Sequence, residues 1–192
     1  MFGLEFSIIW SAVLLRKRVV VVDDAASLPR LLRVLRTLPL LAWTRQDWTI
    51  LRPYVTLDDA EVGDLQKSGV YCAGCLDAAV RERAELYDVL LDVPARAVVV
   101  ADGAAKDDLK LGQLHKDVAT FMVEAAEAGE GEQAIIKGVA QRTKKVTDLV
   151  RALAAIDDGE LSDETLASRN VPPGSHRFVR NVALAEGLSK QS

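Results

Sequence analysis

The sequence predicts an α/β unit followed by an all-α unit. Three features carry that expectation. Four consecutive valines, Val19–Val22, lie between Arg18 and Asp23-Asp24, as in a strand covered on both faces of a parallel sheet. Short apolar runs then alternate with segments of helical period up to about residue 102. Beyond Asp102-Gly103 the periodicity is helical throughout. The chain accordingly divides into 1–102, an α/β part, and 103–192, a helical part.

The elements follow in order. Residues 3–15 are apolar nearly all round, which fits a helix enclosed by its fold. They run into the valine strand, 18–24. Ser27 is placed to cap the next helix, with Pro29 in its first turn. Leu28, Leu31, Leu32, Leu35 and Leu38 repeat there at helical spacing, and Pro39 is expected to end it. A polar stretch bracketed by Trp43 and Trp48 leads into a strand over 49–55. Thr56, Asp58 and Asp59 open a short acidic helix to about Gln66. A strand over 70–76 comes next. Strands over 87–93 and 97–101 meet at Pro94-Ala95-Arg96, the spacing of a hairpin at a sheet edge.

In the helical part, 106–128 reads as one helix with Leu111, Leu114, Val118, Phe121, Met122 and Ala125 on one side. Gly129-Glu130-Gly131 breaks it. A second long helix, 132–156, turns Ile135, Ile136, Val139, Val146, Leu149, Val150 and Leu153 inward, and Asp158-Gly159 stops it. A short helix over 162–168 precedes Pro172-Pro173-Gly174, and Ser175 is placed to cap a last helix to about Lys190. The α/β part opens directly on an enclosed helix, the pattern expected of the C-terminal portion of something longer.

Composition narrows the function classes. The 192 residues are 49% hydrophobic and 27% charged, an ordinary globular balance. A net charge of -4 argues against a bulk nucleic-acid binder. The apolar run Ile8–Leu15 ends at Arg16-Lys17-Arg18 and is far shorter than the roughly 20 residues a spanning helix needs. At most peripheral membrane association is expected.

The motifs that might carry chemistry are few. Cys72-Ala73-Gly74-Cys75 has the spacing of a redox pair or half a zinc site, but it lies in an apolar, strand-like run with no second C-x-x-C. Buried packing is the expectation, and neither a metal nor a cofactor is called for. His115 reads as a lone surface histidine, and no G-x-S-x-G nucleophile or phosphate-binding glycine loop occurs. Arg30, Arg33 and Arg36 fall three apart opposite the leucine face, either a solvated face or a basic stripe for an acidic partner or phosphoinositide headgroup. Arg142, Lys144 and Lys145 are read as solvated in the same way. Trp43, Arg45, Gln46, Asp47 and Trp48 form the most suggestive stretch, since tryptophan and arginine are enriched where proteins bind each other.

Several stretches in one order resemble the DENN-domain family. They are FGLEFSIIWSAVLLRKRVVVV, LPLLAW, RQDWTILRPYV, VYCAGCLD, ELYDVLLDV, KLGQLHKD and the end from Pro172 to Leu188. The resemblance implies the core α/β lobe and the downstream helical region of a DENN module, without its N-terminal longin-like lobe. It further implies a guanine-nucleotide exchange regulator of Rab GTPases at the late endosome, cytoplasmic, acting by binding rather than covalent chemistry. A non-catalytic endosomal scaffold on the coiled-coil subunits of the Commander assembly is the alternative. Cys72 and Cys75 stand where the family is expected to carry apolar residues.

Overall fold

The computed structural model describes residues 2–25, 27–156 and 159–189. It bears out an α/β part followed by helices. The elements are α1 (Phe6–Leu14), β1 (Val19–Val22), α2 (Leu28–Leu41), β2 (Leu51–Arg52), α3 (Asp59–Ser68), β3 (Cys72–Cys75), β4 (Val89–Asp92), β5 (Ala97–Val100), α4 (Ala104–Asp108), α5 (Gln113–Glu127), α6 (Glu132–Ile156), α7 (Asp163–Ser168) and α8 (His176–Ala185). The five strands form one sheet in the order β2-β3-β1-β4-β5. All neighbours are parallel except β4 and β5, which form the expected antiparallel hairpin.

The valine strand is central and its side chains divide between two cores. Val19 and Val21, with Cys72, Val89 and Leu91, pack against α1, α2 and the helices beyond residue 102. Val20 and Val22, with Ala73, Cys75 and Leu90, pack against Val62 and Leu65 of α3 and against Val80, Leu86 and Tyr87. The period of 2 along a strand makes this division automatic. Gly74 lies between: a Cβ there would come within 2.4 Å of Leu35 Cδ1 and 2.6 Å of the Pro53 carbonyl oxygen, so α2 sits directly on β3 because that position is glycine.

The helices beyond residue 102 share the first core. Trp10 of α1, fully buried, donates its indole N–H to Thr143 Oγ1 of α6 at 2.9 Å, and Thr143 in turn donates to the Leu41 carbonyl at 2.8 Å. The Trp10 ring meets His115 edge-on and leans on Phe178 of α8. The change of pattern at Asp102-Gly103 therefore marks the end of the sheet, while the core runs across it.

Several boundaries differ from the sequence expectation for local reasons. Pro39 does not end α2. It lies inside the last turn, where only one intrahelical bond is lost, and the Ala42 N–H closes the helix on the Pro39 carbonyl. The strand expected over 49–55 pairs only at Leu51–Arg52, because Asp47 caps a 3-10 turn over Trp48–Ile50 and Pro53 has no N–H to give. The helix expected over 106–128 splits into α4 and α5. Ser175 makes no side-chain cap bond, and α8 ends at Ala185 before Gly187 at φ +67°. Asp158 and Lys190 lie outside the described residues.

His115 corrects the sequence reading outright, since it is buried rather than on the surface. Its Nδ1 accepts the Gly112 N–H at 2.8 Å, which caps α5 and explains the break before it. Its ring packs on Phe178 with centroids 4.4 Å apart. Burial lowers the imidazole from its ordinary 6.5 to about 4, so the folded protein holds it neutral. The unfolded chain then binds the proton more readily, and stability due to this group is full above pH 6.5 and lost as pH falls through 4. The full effect is about 3 kcal/mol. Chemical denaturation of the protein should show stability declining from pH 6.5 to 5, and His115→Gln, which keeps a cap acceptor, should flatten that slope.

Candidate functional site

The stretch singled out in the sequence is a loop joining α2 to β2, and its residues do two different things. Arg45 turns inward. Its guanidinium donates to the Val13 and Leu14 carbonyls at 3.2 and 2.6 Å, and to the Ala185 carbonyl at 3.1 Å. One cation thereby caps the C-termini of α1 and α8, where the helix dipoles are negative, with Glu186 3.4 Å from its Nε. Burial pulls the Arg45 guanidinium below its ordinary value, and Glu186 opposes that. Asp47 accepts from the Thr49 N–H at 3.1 Å and faces Arg16 at 3.5 Å, so it fixes the turn. Gln46 supplies the left-handed residue of that turn, at φ +44°. Trp43 and Trp48, 39% and 46% exposed, are left as the aromatic surface of the loop.

An open apolar groove that sequence reasoning missed shares Ile136 with a hollow lined by Trp43. The groove, about 380 Å³, runs between α2 and α6 and is lined by Phe6, Leu40, Leu41, Met122, Ile135 and Ile136. Ile136 also lines the hollow beside Trp43, together with Lys137 and Lys144. Phe6 and Met122 line its continuation toward Phe2 and Glu127. Ile135 and Ile136 were expected to face the core. They are half-exposed instead and line the groove. Leu40, off the leucine stripe of α2, was the available signal.

The arginine stripe does not act as one unit. Arg30 donates to both oxygens of Asp23, at 2.6 and 2.5 Å, and Asp23 is fully buried at the carboxyl end of β1. Arg33 and Arg36 are exposed. Next to the first pair, Arg81 bridges Asp24 at 2.8 Å and Asp92 at 2.6 Å. Parallel sheets commonly bind ligands at this carboxyl edge. Here the edge is closed by its own ion pairs.

Cys72 and Cys75 are both buried and free. Three residues apart in a strand, they point to opposite faces, Cys72 into the helical core and Cys75 into the other. They therefore cannot bond each other or share a metal without unravelling β3. Burial pushes the Cys72 thiol up to about 12 and raises Cys75 in the same direction. Among the described residues no group of three or more His, Cys, Asp or Glu is arranged to hold a metal, and no helix is long and apolar enough to cross a membrane.

The fold and groove define an α/β module backed by helices, with an apolar surface beside an aromatic loop. A family model described as "Stabilization of polarity axis" matches residues 1–102, and the chain belongs to that family. It is similar to DENN domain-containing protein 10 of Dictyostelium discoideum, at 39% identity over 98% of this chain and 52% of the relative. The proteins of the same name from Danio rerio and Homo sapiens are each 36% identical, over 98% of this chain and 54% of the relative. The DENN resemblance read from the sequence is thus borne out along its whole length. The chain spans about half the length of the curated relatives it matches.

Two measurements check this site. Arg45→Ala takes the guanidinium from the Leu14 and Ala185 carbonyls and one of two donors from the Val13 carbonyl, and should cost about 2–4 kcal/mol, read as a fall in Tm, whereas Trp43→Ala should leave Tm nearly unchanged. In a thiol titration at pH 8, Cys72 and Cys75 should stay unreactive in the native protein and react fully in denaturant. Cys72→Val with Cys75→Val should fold normally.

Proposed function

We propose that this chain is a DENN-type regulator of Rab GTPases, cytoplasmic and acting at the late endosome. The observation that carries the reading is the apolar groove continuing into Trp43, on a chain similar throughout to proteins named for the DENN domain. An exposed apolar groove rimmed by charge is the kind of surface a protein partner covers. The mechanism is differential binding. A regulator that holds the nucleotide-free GTPase more tightly than the GDP-bound form lowers the affinity for GDP by the same factor, and nothing covalent is required. Trp43 and Trp48 supply the aromatic anchors, and Arg45, Gln46 and Asp47 hold the loop that presents them. Arg33 and Arg36 extend the same face of α2 as a basic flank for an acidic partner.

A second reading is favoured by the shape of the groove. Its walls are helices, with Glu127 and Glu132 toward one end and Lys137 and Lys144 toward the other. A helix of opposite charge polarity fits such a trough. Coiled-coil subunits of the Commander assembly would be partners of that kind, with the chain serving as a scaffold.

The two readings separate in one experiment. Release of fluorescent GDP from a panel of Rab proteins is measured with the protein and with Leu40→Glu plus Ile136→Glu, two groove residues outside the core cluster. The exchange reading expects acceleration with at least one Rab and a loss of roughly thirtyfold or more in the variant, the size of a lost interface anchor, at unchanged Tm. Helix binding that the variant abolishes, with no acceleration from any Rab, selects the scaffold. Partner binding untouched by the variant removes the groove from both.

A further inference from the structure

The edge strand β5, Ala97–Val100, is short but carries no charge, proline or bulge within it to keep another strand away. Ala97-Val98-Val99-Val100-Ala101 holds no charge, proline or glycine, and Val99 is 44% exposed. Its free edge has a defined set of hydrogen-bonding groups. The Val89 and Val93 N–H groups of β4 face β1, where they bond the Arg18 and Val22 carbonyls. Leu90 and Asp92 therefore face β5, opposite Val99 and Ala97, and the Ala101 N–H bonds the Asp88 carbonyl in the same phase. By alternation the N–H and C=O of Val98 and Val100 point away from the sheet.

We infer that β5 pairs with β5 of a second copy of this chain, antiparallel about Val99, so that two sheets join into one. The register follows from the phase and from the charges. With Val99 opposite its own copy, Val98 faces Val100 of the other chain, and these are the residues whose backbone groups point outward. Each such pair exchanges two hydrogen bonds, and Val99 falls at the close, non-bonded position where side chains touch. In this register Ala97 faces Ala101, and Arg96, in the hairpin turn at φ +54°, comes beside Asp102 just past the end of the other strand. The segment Arg96–Asp102 is a charge palindrome, positive at one end and negative at the other, and Asp102 is almost wholly exposed with Lys106 as its neighbour at 3.0 Å. Antiparallel pairing brings each arginine against the other chain's aspartate, at both ends of the two-fold. A parallel pairing would set like charges together and is disfavoured.

This interface lies at the sheet edge, away from the groove, and stands independently of the Rab reading. Sedimentation velocity of the full chain between about 10 µM and 1 mM should show a concentration-dependent monomer–dimer equilibrium, as expected of a small interface. Val98→Pro removes an outward N–H and no bond to β4, so it should give a folded monomer, with a modest fall in Tm from the lost packing of the Val98 side chain on the core. Arg96→Asp alone, or Asp102→Arg alone, should weaken the dimer roughly tenfold through two like-charge pairs. Arg96→Asp with Asp102→Arg restores the palindrome and should recover the wild-type constant. A protein that stays monomeric to about 1 mM overturns the inference. So does a dimer that survives Val98→Pro, or one for which the double reversal is as weak as the single ones.

Discussion

Val19–Val22 have no exposed face, and this constraint governs the molecule. A strand buried on both sides needs a cover on each, and the two covers differ in kind. On one side α3 and the turns over 78–86 form a thin layer with its own small core. On the other, α1 and α2 lie on the sheet, and α5, α6 and α8 close over them. The helical part is thus the second layer of the same core and not an appendage. Trp10 expresses that dependence, since its indole is enclosed by side chains of α5, α6 and α8 and bonded to Thr143.

Where these layers meet, the chain uses single polar groups to satisfy several backbone orphans at once. Arg45 caps two helices that are far apart in sequence. Thr143 links the Trp10 indole to the carbonyl at the end of α2. The His115 ring starts α5. Each is a polar side chain drawn into apolar surroundings and retained because its partners would otherwise be unpaired. Among the residues left outside this interior bracing, Leu40 and Ile136 line the groove and Trp43 lines the hollow beside it. An interior held by fixed polar links and an exterior of adaptable apolar side chains suit the docking role proposed above.

Much of the candidate site was legible only in part. The Trp43–Trp48 stretch was noticed for its residue types, and its two tryptophans are indeed exposed, but the same residue types hid the division of labour within it. Nothing in the local pattern of Arg45 says that three carbonyls from α1 and α8 converge on it. The groove was hidden for a related reason. Ile135, Ile136 and Met122 match a helical core stripe, and periodicity reports which face of a helix is apolar, not whether another element covers it.

The sequence by itself determined the succession of elements, the two-sided strand, the hairpin and the packed state of both cysteines, because these depend on periods of 2 and 3.6 residues and on turn chemistry close by. It also determined the family, through residues spread along the whole chain. The tertiary structure decided the strand order β2-β3-β1-β4-β5, the burial of His115, the inward turn of Arg45 and the opening between α2 and α6. Each of these depends on groups many residues apart meeting in space. Their energy comes from contacts and hydrogen bonds that exist only once both layers are on the sheet, and a one-dimensional pattern carries no record of them.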